Sequence, residues 1–178
     1  MKFNPSIVQT SYQSPLGAMT LAATNAGLAG VWFAGQRHLP LELTGAALWP
    51  VDSAHPVLIK TAAQLTEYFS GRGTSFDLPL DLSGGTGFQQ AVWQALLSIA
   101  PGQTSSYGQI GLATGKLQAT SGRAVGAAVG RNPISIIVPC HRVVGAGGAM
   151  TGYAGGLDRK IALLKLENDK SAPARNLF

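Results

Sequence analysis

The spacing of apolar residues changes at Ser83-Gly84-Gly85, and this change limits the possible folds more than any other feature of the chain. Before it, the apolar and β-favouring runs are short. They are Ile7-Val8 through Tyr12, Met19-Thr20-Leu21 and Val31-Trp32-Phe33, separated by Ser14-Pro15-Leu16-Gly17 and Asn25-Ala26-Gly27. Short runs with turn residues between them predict an antiparallel meander. Leu58, Ala62, Leu65 and Phe69 then recur at three- and four-residue steps, which predicts a helix from Pro56 to Phe69 closed by Gly71. Leu78-Pro79-Leu80-Asp81-Leu82 predicts a short edge strand, since proline fits only where no ladder bond is needed.

After the glycines the pattern becomes helical. Thr86 and Gln89 have capping-box spacing, and Phe88, Val92, Trp93, Leu96 and Leu97 share one helical face until Pro101-Gly102 ends the run. Ser106 and Gln109 repeat that spacing around Tyr107, opening a short helix that stops near Gly115. A third helix is predicted over 121–130, so that two short helices joined by a brief turn form a helix-turn-helix. The run from Arg123 to Arg131 is otherwise Ala, Gly and Val. Such a helix either packs tightly on the core or lets its backbone approach a large surface, with arginines at both ends for phosphate or base contacts.

Residues 134–138, Ile-Ser-Ile-Ile-Val, predict a buried strand ending at Pro139-Cys140-His141-Arg142. A glycine-rich stretch from Gly145 to Gly156 follows. The last predicted helix covers 157–168, with Leu157, Ile161, Leu164 and Asn168 on one side, and 169–178 reads as a loose tail. There is no internal repeat. Strands followed by helices imply an α+β protein, with an N-terminal supporting domain over 1–85 and a functional domain over 86–168.

Charge divides at the same place. Before Gly87 there are 4 Lys+Arg and 5 Asp+Glu, and from it onward 9 and 3, so the parts carry 4 − 5 = −1 and 9 − 3 = +6. The basic part is either a solvated surface or a face that meets a polyanion, most naturally nucleic acid. A single cysteine, Cys140, excludes an intrachain disulfide and a multi-cysteine zinc site. His38, His55 and His141 lack metal-ligand spacing, so no metal is expected. No apolar run approaches the roughly 18 residues of a membrane span, and no signal peptide is expected after Met1-Lys2. The expected compartment is the cytoplasm.

Cys140 stands where an apolar segment gives way to a loop, a common position for catalytic groups. Alone, such a cysteine is more often a small buried hydrophobe than a nucleophile. Next to it are an imidazole and a guanidinium that can stabilise a thiolate, and Glu167 can orient His141 as the third member of a relay. A thiol of pKa about 8.5 is roughly 3% ionised at neutral pH, so full ionisation raises the reactive fraction only about 30-fold. Positioning must supply the rest of the rate.

Pro139-Cys140-His141-Arg142-Val143-Val144 resembles the active-site signature of the O6-alkylguanine-DNA alkyltransferases, the methylated-DNA–protein-cysteine methyltransferase family in its stand-alone form. Phe88 to Trp93, Tyr107-Gly108-Gln109-Ile110, Arg123-Ala124-Val125-Gly126 and Asn132-Pro133 match in order. So do Thr151-Gly152-Tyr153-Ala154-Gly155-Gly156 and the stretch from Arg159-Lys160 through Leu163-Leu164 to Glu167. The likeness is strong over 86–168, and the meander fits the family's variable ribonuclease-H-like domain more loosely.

The resemblance implies a suicide enzyme. It would repair alkylated double-stranded DNA by irreversible transfer from O6-alkylguanine, with O4-alkylthymine as a further candidate substrate, to its own Cys140. Cys140 would be nucleophile and acceptor, His141 its base through a water, and Glu167 the carboxylate holding the imidazole. Tyr107 would turn the target phosphate and assist the leaving base, and Arg123 would fill the stack, with Gly126 and Arg131 also at the DNA. Asn132 would brace the turn between the third helix and the active-site strand, and Asn132, Val143, Tyr153, Ala154 and Gly155 would form the pocket. No cofactor and no membrane partner are implied, and the protein would act as a monomer or in clusters on DNA. The step from Tyr107 to Arg123 is slightly longer than the family's.

The chemistry agrees with that assignment. An alkyl carbon on guanine oxygen lies inside the stack, so a thiolate reaches it only if the nucleotide is flipped out, at a few kcal/mol. The thioether formed is not readily cleaved, so each molecule acts once. Two other classes fit the same residues: a lesion sensor without transfer, and a hydrolase using Cys140, His141 and Glu167.

Overall fold

The computed structural model describes residues 1–43, 48–115 and 121–170. The predicted tail beyond residue 170 and the stretch 116–120, which is part of the step from Tyr107 to Arg123, lie outside the described residues. Three antiparallel strands, β1 (Val8–Ser14), β2 (Gly17–Thr24) and β3 (Gly27–Phe33), form a sheet in the order β1-β2-β3. The β2–β3 turn must be tight at Gly27, because a Cβ there would stand 2.5 Å from the Pro79 carbonyl oxygen. Only glycine adopts its φ of 146° without strain.

One face of the sheet, through Met19, Leu21, Val31 and Phe33, packs on α1 (Pro56–Phe69) by way of Leu58, Leu65 and Tyr68. Each fully buried leucine there contributes about 1.5–3 kcal/mol. Trp32, Ala22 and Ile7 cover the other face with Trp49. Leu80 joins the edge of β3 by a single parallel bridge to Leu28, so the expected edge strand shrinks to one rung beside Pro79.

The second part consists of α2 (Gly87–Leu96), α3 (Tyr107–Ala113), α4 (Gly122–Gly130) and α5 (Leu157–Lys170), with a two-residue parallel pair, β4 (Ser105–Ser106) and β5 (Val143–Val144). Both expected capping boxes form, Thr86 with Gln89 and Ser106 with Gln109. The Trp93 indole N–H donates to the Ala128 carbonyl at 2.9 Å and locks α2 onto α4. One continuous core runs from the sheet through Trp93 and Val125 to Ile134 and Leu163. No described helix is long and apolar enough to cross a membrane.

Two expectations need correction. Residues 134–138 are not a strand. Ile134 makes one parallel bridge to Val31 of β3, and the chain then coils, with Val138 N–H donating to the Ile134 carbonyl and Ile136 at φ 72°. A buried apolar run has no period that separates strand from coil, and here the Asn132 side chain takes the place of ladder partners. Along α5 the buried side is Lys160, Leu163, Leu164 and Glu167, whereas Leu157 and Ile161 are 44% and 49% exposed. Two ionic side chains with dedicated partners displaced the apolar stripe.

Candidate active site

Pro139 ends the coil and starts a single 3-10 turn, Cys140–Arg142, whose three side chains are all buried. This turn points Cys140 and its two neighbours in different directions. Cys140 lines a pocket of about 280 Å³, the small end of ligand-site volumes and suited to one base. Tyr107, Gly126, Arg131, Tyr153 and Ala154 line it too, as do Arg37 and His38 from the loop after β3.

Behind the thiol, the Asn132 amide donates to Cys140 Sγ at 3.0 Å and to the Val138 carbonyl at 2.8 Å, while its Oδ1 accepts the Ile134 N–H at 3.0 Å. Asn132 therefore fastens the end of α4 to the cysteine. Burial pushes the Cys140 thiol up to about 11, against the lowering effect of the Asn132 bond. That direction favours the protonated thiol at rest.

His141 is fully buried, and its Nε2 lies 2.9 Å from Glu167 Oε1. Burial lowers its pKa more than the Glu167 carboxylate restores it, which keeps the ring neutral at neutral pH. With Nε2–H donating to the carboxylate, Nδ1 is the free basic atom, and it has no hydrogen-bond partner among the described residues. Arg142 reaches the same carboxylate, Nη2 to Oε1 at 2.8 Å and Nε to Oε2 at 2.9 Å, and also donates to the Ile99 carbonyl. Burial would raise the Glu167 carboxyl, but the hydrogen bonds from His141 and Arg142 hold it well below the usual range. The guanidinium thus faces away from Cys140. The expected thiolate stabilisation by Arg142 is replaced by a grip on Glu167, because a buried carboxylate needs a countercharge more than a protonated thiol does.

Tyr107 opens α3 and stands between α4 and the glycine loop, with its hydroxyl 3.5 Å from the Cβ position of Gly152 and its ring against Gly126. Ser121 caps α4 through the Ala124 N–H at 3.3 Å, and Arg123 in the first turn is exposed and outside the pocket. Arg131, at the other end of α4, is exposed and on the pocket rim. Asn132, Val143 and Gly155 are buried and do not line the pocket. They form its backing, Val143 through β5 and Gly155 beneath the Tyr153 ring, where a Cβ would come within 2.6 Å.

Sequence reasoning missed four contributors. Arg37 and His38 stand on the rim, and the Arg37 N–H donates to the Ala154 carbonyl at 2.9 Å. Their one signal is two adjacent basic groups in the loop that follows a strand, four and five residues past its end. Lys160, wholly buried, donates to the Val143 and Thr151 carbonyls and ties the two ends of the glycine loop together. Tyr68, from α1, donates to Glu167 Oε1 at 2.8 Å.

Residues 87–169 match the family described as 6-O-methylguanine DNA methyltransferase, DNA binding domain, and residues 7–82 match its ribonuclease-like domain. A methylated-DNA–protein-cysteine methyltransferase of Mycobacterium bovis is 46% identical over 165 residues, 93% of this chain and 94% of that protein. The crystal structure of Mycobacterium tuberculosis O6-methylguanine methyltransferase superposes with a TM-score of 0.80 at 44% identity, covering 95% of this chain and 96% of that one. That of Mycobacterium tuberculosis OGT in complex with DNA gives 0.78 at 45% identity, over 90% and 92%.

Proposed function

The chain belongs to the 6-O-methylguanine DNA methyltransferase family, and from that premise we propose that Cys140 is the acceptor through which it repairs DNA by direct alkyl transfer. The observation that carries this assignment is the thiol in a base-sized pocket with a neutral, carboxylate-held imidazole next to it in sequence and Arg131, at the end of α4, on the rim. The flipped O6-alkylguanine enters between Tyr107 and Tyr153. Sγ attacks the alkyl carbon, the carbon–oxygen bond breaks, and the electron pair stays with the guanine.

The thiol proton leaves through a water to His141 Nδ1, while Glu167 fixes Nε2–H and stabilises the imidazolium. A thiol at about 11 is scarcely ionised at neutral pH, so its proton departs as the base is engaged. That keeps an idle Cys140 inert toward stray electrophiles. Tyr107 hydrogen bonds to the leaving base, and Arg123 fills the stack. The thioether ends the cycle after one turnover, with no cofactor. O4-alkylthymine, a smaller base that requires the same displacement, is a further candidate substrate. A cytoplasmic location fits this reading.

Intact-mass measurement after incubation with a duplex oligonucleotide containing O6-methylguanine tests this reading. The expected result is one added methyl group on the parent protein, located at Cys140 by peptide mapping. Tight binding with no mass change would make the protein a lesion sensor and overturn the assignment.

A further inference from the structure

We propose that Tyr68, in the N-terminal part of the chain, is a positioning residue for alkyl transfer, its hydroxyl setting the orientation and basicity of the Glu167–His141 pair. This rests on the function proposed above. Tyr68 lies in the last full turn of α1, 99 residues before Glu167 in sequence, with its ring held edge-on to Phe69 at 5.4 Å and tilted against Phe76 at 5.5 Å. A buried tyrosine needs an acceptor, and any main-chain carbonyl would satisfy it. This one is aimed instead at the oxygen that also receives His141 Nε2 at 2.9 Å and Arg142 Nη2 at 2.8 Å.

Three donors on one carboxylate oxygen fix the direction from which the imidazole can approach. Every donor also draws charge from that oxygen and weakens its hold on an imidazolium. Burial and the neighbouring carboxylate raise the phenol far above its ordinary range, so it remains a donor at any working pH. Among the described residues, the following groups face the pair. Around Glu167 stand Tyr68 from α1, His141 and Arg142 from the 3-10 turn, and the Gly102 N–H at 3.3 Å. Lys160 from α5 and Arg142 act on His141 electrostatically, and the Tyr153 ring is edge-on to it.

The variant Tyr68→Phe keeps the ring and its packing and removes one donor. Methyl transfer from an O6-methylguanine duplex, followed by single-turnover kinetics from pH 5 to 9, should slow about 10-fold at neutral pH. The acid limb, set by protonation of His141, should move to higher pH, because a carboxylate relieved of one donor stabilises the imidazolium better. In a Glu167→Gln background the same change should have no further effect on the rate or on the limb. An unchanged rate and profile overturns the proposal. So does a uniform slowing with the limb in place, which is what a purely structural role gives. A parent protein that transfers no methyl group fails the function itself, whereas an active parent with an insensitive Tyr68→Phe variant fails only the role of Tyr68.

Discussion

Residues 1–85 hold the three-stranded sheet and a charge of −1, whereas residues 86–170 hold the thiol, the relay and most of the basic side chains. The first region is regular and carries no chemical motif. The second has short helices, a two-residue strand pair and a coiled segment with a β-branched residue at positive φ. Yet the regular region enters the site at several points: Tyr68 on Glu167, Arg37 N–H on Ala154, and Leu16 and Phe33 against Arg159. Arg159 donates to the Leu16 carbonyl at 3.0 Å, stacks 4.6 Å above the Phe33 ring and donates to the Gly155 carbonyl at 3.0 Å. The difference teaches that the irregular chemical region is held in shape from outside. Its own ladder bonds are too few to do so.

The contrast breaks most sharply at the thiol. Cys140→Ser should abolish transfer while retaining affinity for alkylated duplex, because a hydroxyl of similar volume is a far weaker nucleophile. Methyl transfer by this variant, read by mass, would sink the assignment. Next in size is Glu167→Gln. Removing the charge leaves Arg142 buried without a counterion, and breaking such a pair costs about 3–5 kcal/mol, measurable by urea unfolding. A loss below about 1 kcal/mol would mean that the junction is carried by Arg159 and the Val31–Ile134 bridge instead. His141 and Glu167 should also act as one unit, so that the double variant transfers little more slowly than the worse single one.

Acid and alkali should loosen the same junction. Glu167 is depressed from 4.5, so its contribution is present above that value and is lost as pH falls through the folded-state pKa. His141 is depressed from 6.5, so below 6.5 the unfolded chain takes up a proton that the folded chain refuses, and stability declines. Cys140 is raised from 9.0 to about 11, so stability falls across that window as the unfolded chain ionises first. That effect reaches about 3 kcal/mol. Unfolding measured against pH should show a plateau between about 6.5 and 9, and Cys140→Ser should lose part of the alkaline decline. An identical decline in both proteins would assign it to Tyr68 and Tyr153, which burial also raises.

The legibility of the sequence follows the same division. Elements governed by local rules were readable: the meander from its turn residues, α1 from its stripe, and α2 and α3 from their capping boxes. The coil at 134–138 was not, because Asn132 supplies its bonds from two to six residues away and a run of isoleucines carries no sign of that. The buried face of α5 was hidden because Lys160 and Glu167 look like surface residues until their partners are known. Tyr68 reads as core, and a contact across 99 residues leaves no local trace. The contact between His141 and Glu167 was legible through helix position, and the place of Cys140 beside a pocket through its position before a loop. The turn of Arg142 toward Glu167 was not.

A smaller effect should appear at α4. Arg123 is exposed beyond the pocket, so its removal should leave reaction with a free alkylated guanine base nearly unchanged. In duplex DNA, where extrusion is costly, Arg123→Ala should slow transfer about 10-fold, equivalent to about 1.4 kcal/mol. Equal slowing on both substrates would show that Arg123 supports the fold, and that another group fills the stack.

The smallest effect concerns Arg131 and Arg37, which reach the pocket rim from opposite regions. Affinity for duplex DNA should fall steeply with salt, because phosphates neutralised by the basic region release counterions, and each contact adds about 0.9 to the slope of log affinity against log salt. Arg131→Gln should therefore flatten the slope by about one unit without altering the rate from the bound complex. If Arg37→Gln flattens it equally, the DNA-facing rim is shared between a region of charge −1 and its basic partner. Salt sensitivity then follows where a cation stands rather than which half supplies it. If only Arg131→Gln responds, Arg37 serves the pocket wall through its main-chain bond to Ala154, which glutamine preserves, and the N-terminal region meets no phosphate.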